Sequence, residues 1–129
     1  MKSPLFTSAI FAVIFVSAVD LFALKFHLFY AIIWFDMPMH FLGGFLVSIL
    51  ALSILVHNQG HVSYGKLLFW GIISALVIGI MWELFELYFG ITYLYSPDYI
   101  GDNGMDVTMD LFGGFSAVVY SYFKLRTFK

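Results

Sequence analysis

The sequence predicts an all-α, polytopic membrane protein, a four-helix transmembrane bundle built from two similar helical hairpins. Three observations carry this expectation. Of 129 residues, 62% are hydrophobic and 11% charged, against roughly 25% charged in an ordinary soluble domain. The apolar residues fall in four long segments of the length needed to cross a bilayer, about 17 to 25 residues. The eight acidic residues gather at or near one end of those segments, and five of the six Lys/Arg residues at the other.

The first helix is expected over about residues 5–24. Ser3-Pro4 supplies a capping residue and a first-turn proline, and the apolar run continues through Asp20-Leu21-Phe22-Ala23-Leu24 to Lys25. This start also resembles a signal peptide, with Lys2 before the apolar stretch and small Ser17 and Ala18; its participation in the repeat described below argues that it is retained. Residues 26–35 are too few to span and strongly aromatic, and Tyr30 and Trp34 suit an interfacial segment. The second helix is expected from Pro38 to about residue 56, and the polar link from His57 to Lys66 reverses the chain. The third covers about 67–89, closing on Trp82-Glu83-Leu84-Phe85-Glu86-Leu87-Tyr88. A Tyr/Gly/Pro-rich surface loop follows from Gly90, in which Gly101-Asp102-Asn103-Gly104 reads as a turn, and the fourth helix covers about 105–123. Residues 1–129 thus form a single transmembrane domain.

Lys2, Lys66, Lys124, Arg126 and Lys129 lie on the side of the termini and the middle link, against Lys25 alone on the other. The positive-inside rule therefore predicts a multi-pass protein of the cell membrane with cytoplasmic termini and its acidic end on the extracytoplasmic side. The absence of cysteine removes disulfides, thiolate catalysis and iron–sulfur clusters, leaving oxygen and imidazole as the only metal donors. No basic patch beyond the C-terminal tail points to nucleic acid, and no phosphate loop, nucleophile motif or complete metalloprotease signature specifies a reaction.

Asp36-Met37-Pro38-Met39-His40-Phe41-Leu42-Gly43-Gly44-Phe45 aligns without gaps with Asp106-Val107-Thr108-Met109-Asp110-Leu111-Phe112-Gly113-Gly114-Phe115. Asp20-Leu21-Phe22-Ala23-Leu24 likewise matches Glu83-Leu84-Phe85-Glu86-Leu87. Each half is then a helix ending in acid-Leu-Phe-x-Leu, a connection, and a helix opening on an Asp/Gly-Gly motif, a parallel internal repeat.

Ionisable groups near hydrocarbon cost about 2.5 to 3.5 kcal/mol each at mid-bilayer, so a cluster of them argues for a binding site. A spacing of four puts Asp36 and His40 on one helix face, and Asp106 and Asp110 on another; a spacing of three pairs Glu83 with Glu86. His40 and Asp110 sit about 6 Å deeper than Asp36 and Asp106, which makes a shallow cup. Gly43, Gly44, Gly113 and Gly114 lie a turn further on, and Gly71, Ala75 and Gly79 give the third helix a comparable small-residue stripe. The candidate metal ligands are His40, Glu83, Glu86, Asp106 and Asp110; the candidate catalytic groups are Glu83, Glu86 and Asp36, with Asp36 also orienting His40. Such a donor set suits Mg²⁺, Mn²⁺ or Ca²⁺, and the imidazole admits Zn²⁺. Without a metal, crowded carboxylates can share protons, one protonated beside an ionised neighbour, and so serve acid/base chemistry. Simpler roles compete at several positions. Asp36 and Asp106 open helices and can cap free N–H groups; Lys25 can neutralise Asp20; Asp98 and Asp102 suit a turn; His27, His57 and His61 suit the interface.

Asp-x-x-x-His opening a helix with glycine following, Glu-x-x-Glu near a later helix end, and Asp-x-x-x-Asp-x-x-Gly in the last helix resemble the VanZ-like superfamily and its YjdF-like relatives, small multi-helix membrane proteins. The resemblance covers Trp34 to Phe115 and places Asp36, His40, Glu83, Glu86, Asp106, Asp110 and Gly113 on the family's polar positions. Met37 stands where the family often has a basic residue, and Glu86 and Asp110 where VanZ tends toward Gln and Asn. The resemblance implies a membrane role, with glycopeptide-antibiotic resistance the known association of VanZ.

Three functions fit these readings. One is a metal-dependent hydrolase or transferase acting on a lipid or cell-envelope precursor. Another is a cation- or proton-binding transporter or channel subunit, which four short helices could form only as an oligomer. The third is a non-catalytic envelope-binding module using the aromatic loop Ile91 to Ile100.

Overall fold

The computed structural model describes residues 3–90 and 97–127. Its elements, in order, are the helices α1 (Phe6–Lys25), α2 (Leu28–Ala31), α3 (Asp36–Gln59), α4 (Tyr64–Tyr88) and α5 (Tyr99–Thr127). Among the described residues, α1, α3 and α4 are long and apolar enough to cross a membrane. Their 20, 24 and 25 residues span about 30 to 38 Å, matching a hydrocarbon core of about 30 Å.

The helix ends follow local chemistry. Before α1, the hydroxyl of buried Ser3 accepts the Leu5 N–H at 3.3 Å, and the Ser3 carbonyl accepts that of Phe6. After α1 the chain turns at His27, whose φ of 53° is left-handed, a conformation more accessible to His than to branched residues. That turn releases the short α2 and an outward-facing Tyr30, Ile33 and Trp34. Pro38 sits in the first turn of α3, where a missing N–H costs nothing. Gly60 ends α3 at φ 68°, its N–H returning to the Val56 carbonyl at 2.9 Å. The link to α4 is therefore shorter than the sequence suggests, and His57 belongs to the last turn of α3. Ser63 caps α4 by accepting the Lys66 N–H.

Helix α5 begins at Tyr99 rather than near Met105, so Gly101-Asp102-Asn103-Gly104 is helical and not a turn. Local turn propensity is a weak preference beside a helix already fixed by packing further along. Asp98 and Asp102 also favour this end, because carboxylates complement the positive pole of a helix, and the Asp102 N–H donates to the Asp98 carbonyl at 2.8 Å. Of the aromatic loop expected from Ile91 to Ile100, residues 91–96 lie outside the described residues, as do Lys2 and Lys129. By composition α5 is not one of the helices apolar enough to cross a membrane; Asp106 and Asp110 within it, and Lys124 and Arg126 at its end, lower its apolar character.

The α3–α5 interface is the most extensive, α4 packs on both, and α1 packs chiefly on α3. Helices α3 and α5 run parallel and α4 runs against them, which brings the α4 C-terminus beside the N-terminal half of α3. A Cβ added at Gly44 would strike the Asp110 carbonyl, and one at Gly113 the Phe41 carbonyl. Only missing side chains let the two backbones meet there. Toward the other end Leu5, Ile49, Leu52, Leu67 and Val118 form the dry core, while Phe11, Phe15, Phe69 and Leu84 face outward, as lipid-facing positions do. In this packing α4 joins both motif-bearing helices, whereas α1 lies chiefly against α3.

Candidate functional site

The N-terminal turns of α3, the last turns of α4 and the middle of α5 converge on one imidazole. His40 is buried, and its two nitrogens face different groups. Nδ1 lies 3.2 Å from Oδ2 of Asp110, a hydrogen bond between buried side chains. Nε2 faces Asp36 Oδ2 at 3.7 Å, Glu83 Oε1 at 3.9 Å and Asp106 Oδ2 at 4.0 Å. Five of the six groups singled out from the sequence are thus brought together from three helices.

Asp110, expected to be a ligand, lies on the Nδ1 side of the ring, and Asp36, expected to orient His40 and to be catalytic, lies on the Nε2 side. Asp110 is held closely itself: a Cβ at Gly79 would overlap its carboxylate, one at Gly44 its carbonyl, and one at Gly43 would touch Oδ1 at 3.9 Å. Gly79 of the α4 stripe and Gly43 of α3 therefore flank the Asp110 carboxylate, whereas Gly44 admits its backbone and Gly71 faces Val118. The stripe was visible in the sequence; its neighbours were not. Asp106 lies two turns inside α5, which removes helix capping as its explanation.

Glu83 is 7% exposed, and neither of its carboxylate oxygens has a hydrogen-bond partner. An ionised carboxylate without partners away from water costs several kcal/mol, so this group calls for a cation or a proton. Glu86, one turn further along α4, does not join the ring around Nε2. It is half-buried, and its Oε1 accepts the Trp82 indole N–H at 2.9 Å. A spacing of four could have disclosed that partner. Asp20, on α1, is half-buried and lies on the helix that packs chiefly on α3; Asp98 and Asp102 are exposed at the start of α5.

Donor atoms of Asp36, His40 and Asp106 all lie within 4.8 Å of one another. An ion with bonds of about 2.0 to 2.6 Å has ligands separated by at most about twice that length, so these atoms fit a first coordination sphere after small side-chain adjustment. The hydrogen bond on Nδ1 completes a carboxylate–histidine pair, the arrangement that fixes the tautomer and raises the basicity of a ligating imidazole.

Residues 2–127 match the family described as Predicted membrane protein (DUF2238). The chain belongs to that family. No curated protein and no solved structure matches it. As a DUF2238 member with three helices fit to cross a bilayer, the protein is an integral membrane protein, and its buried carboxylate/histidine cluster is the feature of this DUF2238 chain that calls for a function.

Proposed function

We propose that the protein binds a divalent cation at one end of its bundle, and that the ion serves hydrolysis or group transfer on a lipid or cell-envelope substrate at that face of the membrane. The observation behind this reading is the convergence of Asp36, Glu83 and Asp106 on His40 Nε2 while Asp110 occupies Nδ1. Four carboxylates around one imidazole carry more negative charge than the ring can offset, and the unpartnered oxygens of Glu83 add to the demand for a cation. Oxygen-rich donors favour Mg²⁺, Mn²⁺ or Ca²⁺, with Zn²⁺ admitted by the imidazole. A bound ion of this kind polarises a substrate oxygen or activates water. Asp110 keeps the His40 proton on Nδ1 so that Nε2 presents its lone pair. Half-buried Glu86, beside Trp82, stands where it can exchange a proton with water at the mouth.

In this reading α5 crosses the membrane as a fourth span, its acidic face covered by α3 and α4. The charge asymmetry favours the extracytoplasmic side for the cluster, and the resemblance to VanZ-like and YjdF-like proteins supports an envelope role. Elemental analysis of protein purified in mild detergent tests the site. Wild-type protein retains stoichiometric divalent metal after desalting, while Glu83→Gln and Asp106→Asn lose it; full retention in both variants would assign the metal elsewhere or nowhere.

A second reading, passage of a proton or cation, draws on the buried hydroxyls of Ser48, Ser53 and Ser121 that continue from the cluster along α3 and α5. Ser121 Oγ has no hydrogen-bond partner. Ion flux in proteoliposomes, abolished by Asp110→Asn in protein that holds no stoichiometric metal, would favour it.

A further inference from the structure

At the end of the bundle opposite the acidic cluster, the ends of α1, α3, α4 and α5 enclose a basin of about 640 Å³. Its polar lining is of one kind. Arg126 enters from α5, His57 from the last turn of α3 and His61 from the link to α4, with the hydroxyl-bearing Ser63 and Tyr64 beside them. No carboxylate lines it among the described residues. The Arg126 guanidinium lies over the Tyr122 ring, 4.8 Å from its centroid, a cation–π contact that leaves its N–H groups able to donate elsewhere. Each imidazole keeps at least one N–H donor in either protonation state. Among its described lining residues the basin therefore presents a guanidinium, imidazoles and hydroxyls.

We infer that this basin binds a phosphate-bearing anion. Guanidinium, imidazole and hydroxyl donors together match the tetrahedral oxygens of a phosphate monoester or diester. The volume exceeds what bare phosphate fills, which leaves room for the group the phosphate is esterified to, and Val56, Leu67 and Leu125 make the inner wall apolar. The chemistry is shared by an anionic phospholipid headgroup and a soluble organic phosphate. The site is independent of the cation cluster, which lies at the far ends of the same helices.

The test uses the full chain in a neutral detergent, titrated with inorganic phosphate, with a soluble glycerophosphate, and with short-chain phosphatidylglycerol against short-chain phosphatidylcholine, followed by calorimetry or native mass spectrometry. Wild-type protein binds at least one of the anionic probes and does not bind phosphatidylcholine. Preference for phosphatidylglycerol over glycerophosphate identifies the lipid as the source, and the reverse identifies a soluble ester; both support the site. Arg126→Gln and His57→Gln each weaken binding at least tenfold, whereas Lys124→Gln, which does not line the basin, leaves it within twofold. Equal losses in Arg126→Gln and Lys124→Gln would reduce the effect to general surface charge and overturn the proposal, as would absence of binding by every anionic probe. Unchanged melting temperatures of the variants exclude misfolding as the cause.

Discussion

At the scale of single residues, the site depends on which nitrogen of His40 faces which carboxylate. Asp110→Asn preserves the size of the side chain but removes the charge behind Nδ1, and we expect a 10- to 100-fold weaker metal affinity with little change in fold. Isothermal titration with Mn²⁺ or Zn²⁺ measures it; an unchanged affinity would strip Asp110 of its positioning role. Gly79→Ala should reproduce much of that loss without touching an ionisable group, because the added methyl takes the space of the Asp110 carboxylate. It should also destabilise the protein by about 1 to 3 kcal/mol, the usual range for overpacking. Sequence spacing disclosed that Asp36 and His40, and Asp106 and Asp110, share helix faces, and it marked Glu83 as an acid that no capping role explains. It could not disclose which carboxylate faces which nitrogen of the ring. That geometry depends on the imidazole rotamer and on which backbones approach each other, and both are set by neighbours distant in the chain. Glu86, expected among the ligands, accepts the Trp82 indole N–H from one turn away.

At the scale of elements, α5 is the informative case. The extent of its N-terminal part was hidden because Gly101 and Gly104 look like punctuation, whereas α1, α3 and α4 were legible from their long apolar runs. Both glycines are helical and exposed, and a Cβ at either meets open space. Gly101→Ala and Gly104→Ala should therefore each raise stability by about 0.4 to 1 kcal/mol, as such replacements do in a compatible backbone. A turn requiring glycine would give the opposite sign, so thermal unfolding of the two variants separates the cases. The Ser63 cap of α4 gives a contrasting test. Ser63→Ala should cost about 0.5 to 2 kcal/mol and leave metal content unaltered, since the cap stands at the end of α4 remote from Glu83.

At the scale of the whole molecule, the protein sorts its charges lengthwise, with a carboxylate cup at one end and a basic basin at the other. Cysteine labelling tests whether the two ends face opposite compartments. Asn58→Cys, in the last turn of α3, should react only from the cytoplasm, and Asp102→Cys, at the exposed start of α5, only from outside; identical accessibility of the two would refute the proposed topology. The arrangement also bears on how the protein is made. If α5 is the fourth span proposed above, a helix carrying Asp106 and Asp110 pays about 2.5 to 3.5 kcal/mol for each on meeting hydrocarbon alone, so it would be a poor client for the translocon. Helices α3 and α4, inserted before it, would offer it His40 and the notches left by Gly44 and Gly79. Biogenesis would then finish with a docking step, and a nascent chain whose His40 is replaced by Leu should leave its last helix stranded in the aqueous phase, open to proteolysis.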